Sequence, residues 1–480
     1  MKLSEKYKSI SPPVKASFWF LVCSFLQKGI AMLTTPVFTR IMTEEAYGQF
    51  TVYNSWYNIF FAVVSLNFAA GVFTRGLVKN DTDQDAYASS LVGLSTVCIA
   101  VGFLIYMLFA DTLNSFTELS VFLMVMMFVE IWSCTVYQFW SNKERVNYRY
   151  VRLVIVTLIY VTLRPILSIV FILSFAPDRQ VESRALATSI VCLVLFAILF
   201  VEIIVKGKKF FHKQYWLHAL RFNLPLLPHY LSQIILNQSD KIMIEKMCSA
   251  TEAAYYSVAY SIAMVLLIIN TSITGTLNPW IYKNIKAGEY HRIGKVSYRI
   301  LAVIALCNCA LIAVAPELLM IMAPASYFEA VWLIPPLTVS VYFIFLYSLF
   351  ATFEYYFEKT NYVAVASVSG ALLNLFLNYF AIKLWGYIAA GYTTLVCYVF
   401  FVFLHYLFMR RVNKKYMNNC KVYDIRIIWL IGLLLIAVCA VMMCLFDYWY
   451  IRYSIIAVAM VLVFVFRKKI VSSIKKEFSI

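Results

Sequence analysis

Apolar runs of about 20 residues recur from one end of this chain to the other, separated by short polar or basic connections. A run of that length crosses the hydrocarbon core of a bilayer as an α-helix. The runs are continuous rather than alternating, which excludes a membrane β-barrel. The pattern predicts an all-α, polytopic membrane protein of about 14 transmembrane helices. The first six fall near 17–39, 49–73, 87–110, 117–140, 153–175 and 184–205, and the next six near 222–244, 253–276, 297–319, 331–353, 362–382 and 386–408. A last pair falls near 427–446 and 448–466.

One of these runs is not uniformly apolar. In RFNLPLLPHYLSQIILNQSDKIMIEK (221–246), His229, Gln233, Asn237 and Lys241 recur every fourth residue, with Ser232 and Asp240 beside them. Steps of four on a helix of 3.6 residues per turn advance only about 40° each, so these groups form one slowly winding stripe. A polar group facing lipid tails costs several kcal/mol unless it finds a partner. The stripe therefore predicts a face turned to other helices or to water within the membrane, and these residues are candidates for lining a cavity.

Composition supports this picture. Of 480 residues, 62% are hydrophobic and 14% charged, far from a soluble average. The net charge of +17 would suggest nucleic acid in a soluble domain. Here the basic residues sit in short loops between spans, so they report orientation and not a nucleic-acid partner. On an alternating topology, 32 of the 41 lysines and arginines fall on one side and 7 on the other. That bias predicts cytoplasmic termini. The longest connections, about 206–221, 282–296 and 409–426, lie on the basic side, and no extramembrane domain is expected. Cuts at the first and last of these predict a lobe at 1–205, a second lobe at 206–408, and an appended pair with a basic tail at 409–480. The eleven cysteines are scattered and show no C-x-x-C or Cys/His zinc spacing, so neither metal nor disulfide is expected. No cofactor is implied. Ser17–Phe38 reads as a retained first span because no small-residue cleavage site follows it.

Three charges fall near the middle of spans: Lys28, Glu130 and Arg164. Lys28 lies about 16 Å from either end of its helix, too far for its stem to snorkel easily. Charges at mid-membrane cost at least about 2.5–3.5 kcal/mol, so they mark a cavity or an internal pair. In one reading Glu130 pairs with a cation and serves packing, which still leaves one positive charge over. In the other, Lys28 and Arg164 present positive charge to the phosphates of an anionic substrate. Pro165 should loosen the span that carries Arg164. Asn54 and Asn58, among Tyr53, Trp56 and Tyr57, suit either a sugar ring or plain packing. Asn270, Asn374 and Asn378 suit helix–helix hydrogen bonds. His229 is either a packing residue or a proton carrier. Asp240 and Lys241 either pair locally or gate an outer opening, and Glu130 and Asp240 are candidates for ion coupling.

EAYGQFTVYNS (45–55) and EAAYYSVAYS (252–261) align with one gap, and each follows the first span of a six-helix set. Together with LPLLPHYLSQIILNQSDKIMI, NPWIYK and TPVFTRIMTEEAYGQFTVYNSW, they resemble the oligosaccharide flippases of the polysaccharide-transport type. These belong to the superfamily that also holds lipid II flippases and multidrug exporters. The resemblance covers about 10–410. It implies two six-helix lobes in a V, alternating access and no enzymatic activity. It further implies a bacterial inner membrane location and an undecaprenyl-pyrophosphate-linked glycan as cargo, for O-antigen or capsule. A polysaccharide polymerase and a chain-length regulator are the protein partners such a role implies. Lipid II flippases typically carry several basic residues on their first two spans, whereas here Lys28 stands alone at mid-span. The alternatives are a cation-coupled multidrug exporter and a membrane polymerase or ligase. Short outer loops and a missing acid–base constellation weigh against the enzyme.

Overall fold

The computed structural model describes residues 12–458, and among them it contains helices and turns but no strands. Eleven helices among the described residues are long and apolar enough to cross a membrane. Contacts group the chain into two compact units, 1–254 and 255–480, a division later than the loop 206–221 at which the charge pattern divides it.

In the first unit the membrane-length helices are α1 (Pro12–Ile41), α2 (Glu44–Ser65), α4 (Gln84–Leu108), α6 (Val121–Val146), α7 (Tyr150–Ser174), α8 (Gln180–Gly207) and α10 (Leu227–Met247). Shorter helices lie between them: α3 (Val72–Lys79), α5 (Ala110–Thr117) and α9 (Lys213–Asn223). The starts are set by local chemistry. Thr43 accepts a hydrogen bond from the Ala46 N–H and Ser120 one from Leu123, each satisfying a donor that has no partner within its helix. Glu44 and Glu45 add negative charge to the first turn of α2, where the helix dipole favours it. The core of this unit joins α3, α4, α6 and α8 through Phe73, Leu91, Phe139 and Phe196, with Phe73 edge-on to Phe139 at 4.6 Å. α10 packs along α2, and the Ser55 hydroxyl donates to Gln238 at 3.2 Å. A Cβ on Gly48 would run into the backbone carbonyl of Ala250, so glycine in the AYGQF motif permits close approach.

The predicted spans correspond to helices throughout the described residues, though some are broken, and span two shows why. Span two was expected to run to residue 73, but α2 stops at Ser65. Leu66 and Asn67 turn left-handed, and a new helix starts at Val72. Side-chain amides replace the lost helical bonds. Asn223 donates to the Leu66 carbonyl at 2.9 Å and Asn142 to the Ala69 carbonyl at 2.7 Å. Asn223 is fully buried, so Asn223→Leu strands a carbonyl and should cost about 1–3 kcal/mol, read as a lowered thermal midpoint in detergent. α2 and α10 fall outside the eleven apolar helices, consistent with the amides and charges they carry.

The second unit holds α12 (Val265–Ala287), α13 (Tyr290–Ala313), α14 (Ala315–Met322), α15 (Ile334–Tyr356), α16 (Thr360–Trp385), α17 (Ala389–Tyr416) and α18 (Ile425–Cys444). α11 (Ala250–Ala263) crosses the division between the units. The predicted span at 297–319 is split at Val314, where α14 begins with Pro316 in its first turn. α15 is nearly all buried and packs against α17. The amides act between helices as expected: Asn270 donates to the Val341 carbonyl at 2.8 Å, and Asn378 accepts from Thr393. A buried Glu354–His405 pair at 2.8 Å joins α15 to α17. Helical residues 449–458 begin the last predicted span, whose remainder lies outside the described residues. Arg452 grips Glu317 with two hydrogen bonds, at 2.5 and 3.1 Å, tying this segment to α14.

Candidate functional site: a cationic cavity in the first unit

A cavity of about 830 Å³ lies within the first unit. Its walls come from residues at helical spacing: Gln27, Ala31, Thr34 and Phe38 on α1; Phe50, Asn54, Tyr57 and Asn58 on α2; Glu130, Cys134, Tyr137, Gln138, Ser141 and Arg145 on α6. α7 adds Tyr160, Val161, Arg164, Pro165 and Ser168, and α8 adds Arg184 and Thr188. Each set recurs at steps of three or four, which puts it on one face of its helix. Asn67 and Ala70 also line the cavity, so the break after α2 opens onto this space. Proline at 165 removes the helical donor to the Val161 carbonyl, and both residues stand in the wall. α7 nonetheless remains a single helix through Pro165.

The electrostatics centre on Glu130. Its carboxylate is 1% exposed and accepts from Arg164 Nη2 at 2.8 Å through one oxygen; the other oxygen has no hydrogen-bond partner. Arg164 also donates to the Tyr160 hydroxyl at 3.2 Å and to Thr188 at 3.5 Å. One mid-span cation is thus ion-paired, and the surplus charge lies elsewhere. The Arg184 guanidinium sits between two rings, 3.6 Å from the centroid of Phe38 and 3.9 Å from that of Phe50. It also donates to the Met42 sulfur at 3.4 Å. Arg145 lies 5.7 Å from the Phe20 ring. Neither forms an ion pair with a carboxylate among the described residues. Three arginines against one glutamate leave the described wall net positive.

Polar uncharged groups complete the lining. Asn54 and Asn58 each donate one N–H to the backbone of α2, at 2.8 and 2.7 Å, and an amide has further donor and acceptor capacity beyond that. Tyr137 bridges Gln27 at 3.5 Å and Thr157 at 2.7 Å. Glu130, Cys134 and Cys192 bring their ligating atoms within 4.8 Å of one another.

Of the residues singled out from sequence, Glu130, Arg164, Asn54 and Asn58 meet in this cavity. The backbone of Lys28 is helical, but its side chain lies outside the described residues. His229, Gln233, Asn237, Asp240 and Lys241 sit on α10, and none stands in the described wall of this cavity. Asp240 is buried, Asn237 donates to the Gln233 carbonyl at 2.7 Å, and His229 Nδ1 is buried without a hydrogen-bond partner. The predicted spans 117–140 and 184–205 put Arg145 beyond the end of one helix and Arg184 at the very start of another. α8 starts at Gln180, not 184, so Arg184 lies more than a turn inside the helix. Its spacing of four from Thr188 was the available signal.

Membrane-length helices around a cationic hollow make the class of molecule a polytopic helical membrane protein. The chain belongs to the family described as "Polysaccharide biosynthesis protein", whose model matches residues 14–285. An "Uncharacterized membrane protein" of Haemophilus influenzae is 21% identical over 373 residues, covering 75% of this chain and 88% of the relative. Among solved structures, "Lipid II flippase MurJ, inward closed conformation" matches with a TM-score of 0.71 at 13% identity, covering 94% of this chain and 99% of that one. An inward-facing multidrug resistance MATE family transporter of the MOP superfamily matches at 0.60 and 13% identity, covering 81% and 99%. These likenesses establish a shared fold.

Proposed function

We propose that the protein moves an undecaprenyl-pyrophosphate-linked oligosaccharide from the cytoplasmic to the periplasmic leaflet of a bacterial inner membrane, by alternating access, for O-antigen or capsule synthesis. The observation that carries this reading is the excess of arginine over acid in a membrane cavity also lined by amides and tyrosines. A pyrophosphate entering it would exchange water for charge-assisted hydrogen bonds. Among the described residues Arg184 and Arg145 hold cationic charge not committed to a carboxylate, and Arg164 keeps donors beyond its bond to Glu130. The amides and rings around Asn54, Asn58 and Tyr57 match the mixed polar and apolar faces of sugars. Outward movement of an anion is favoured by an inside-negative potential, by about 2.3 kcal/mol per charge per 100 mV. The basic bias of one set of loops supports cytoplasmic termini. A cation-coupled drug exporter is the alternative, and a net positive wall repels cationic drugs.

Cells lacking the protein should accumulate lipid-linked single repeat units on the cytoplasmic leaflet, measured by protection of the glycan from an external glycosidase or lectin. Accumulation on the outer leaflet would point to a polymerase or ligase. Unchanged glycan with new sensitivity to cationic drugs would point to the exporter.

A further inference from the structure

The Cys134–Cys192 pair is not used by the proposed transport. The two sulfurs, from α6 and α8, stand 3.9 Å apart. Glu130 lies one helical turn before Cys134, and its ligating oxygen completes a triangle in which every pair of ligand atoms is within 4.8 Å. Tetrahedral coordination at metal–sulfur distances of about 2.3 Å places two sulfurs about 3.8 Å apart. The two thiols already have the spacing of two corners of such a site, with a carboxylate near enough to supply a third. A second observation points the same way. Glu130 is 1% exposed and one of its oxygens has no hydrogen-bond partner, an arrangement that is costly unless something binds there. The other oxygen is held by Arg164, which fixes the carboxylate in place.

We propose that Glu130, Cys134 and Cys192 form a binding site for a soft, thiophilic dication of the zinc or cadmium type, with its fourth coordination position open to the cavity. Glu130 and Cys134 both stand in the cavity wall, which gives the ion a route in and the fourth position a place for water. Binding replaces two thiol protons by one dication, so two protons leave and no electron moves. The local charge is unchanged by this exchange. Two thiolates and a carboxylate bring three negative charges, and the ion with the Arg164 guanidinium brings three positive ones. That neutrality is what a membrane interior requires. Scattered spacing in sequence hid the site because its ligands come from two helices, 58 residues apart at Cys134 and Cys192.

The test is titration of the full-length protein, purified in detergent and freed of metal, with cadmium. One equivalent should bind with a thiolate-to-cadmium charge-transfer band and two released protons, and a large excess of zinc should compete with it. Losing a primary ligand should cost at least what losing a supporting residue does, so Cys134→Ser and Cys192→Ser should each weaken binding about 10–100-fold or more. Cys98→Ser, which alters a thiol of the same unit outside the site, should leave it unchanged. A second measurement needs no variant: cadmium should protect Cys134 of the wild-type protein from alkylation, read by mass spectrometry. The proposal is overturned if the band persists in the Cys134→Ser/Cys192→Ser double variant. It is equally overturned if the wild type binds no stoichiometric cadmium or Cys134 reacts equally with and without it.

Discussion

Arg184→Met is expected to lower glycan export about 10–100-fold at normal protein level, while Arg184→Lys retains most of it. The contrast follows from what the side chain does. Its guanidinium is stacked between Phe38 and Phe50, and no carboxylate neutralises it among the described residues. Methionine keeps a flexible, polarizable stem between the rings and removes only the charge. If Arg184 is there to pack, Arg184→Met is nearly silent. If it receives the pyrophosphate, the loss is that of a charge-assisted hydrogen bond, about 1.5–3 kcal/mol, which sets the fold-change above. Lysine restores the charge without the planar fork, so recovery should be incomplete. The measurement is surface polysaccharide in a deletion strain carrying each variant, with membrane protein level as the control. Full export by Arg184→Met would remove the arginine excess from the mechanism.

The second large effect is asymmetric loss of stability at the Glu130–Arg164 pair. Removing one partner of a buried ion pair leaves the other uncompensated, at a cost of about 3–5 kcal/mol. The two halves are not equivalent. The Glu130 side chain is 2% exposed and that of Arg164 is 32% exposed, facing the cavity. An unpaired Arg164 can turn to water, whereas an unpaired Glu130 cannot. Arg164→Met should therefore lie near the top of that range and Glu130→Gln well below it. The double variant Glu130→Gln/Arg164→Met removes both charges and should recover much of the loss. Thermal unfolding in detergent, compared across a double-mutant cycle, reads all three. Equal penalties for the two single variants would contradict the burial difference.

Some of this was legible in the chain and some was not, and particular residues show why. Apolar length marked the helices because the bilayer demands about 20 apolar residues wherever they occur. The same demand made Glu130 and Arg164 conspicuous, and they do meet. What was not legible was which charge is left over. Arg184 falls at the edge of its predicted span, since a boundary drawn from hydropathy stops at a charge. Only the start of α8 at Gln180 moves it into the wall. The end of α2 at Ser65 was hidden for the opposite reason. The residues after it are apolar, and the break is stabilised by Asn142 and Asn223, which come from helices far along the chain.

The sequence by itself determined that this is a bundle of membrane-crossing helices with polar groups that must face inward, because lipid allows a backbone only helices or closed barrels, continuous apolar runs rule out the barrel, and every misplaced charge is expensive. Tertiary structure alone decided which polar groups share a space. Pairing Arg164 with Glu130, wedging Arg184 between Phe38 and Phe50, and setting Cys134 beside Cys192 all depend on how helices rotate against each other. That rotation is set by packing among side chains distant in sequence, which periodicity within any one helix does not encode.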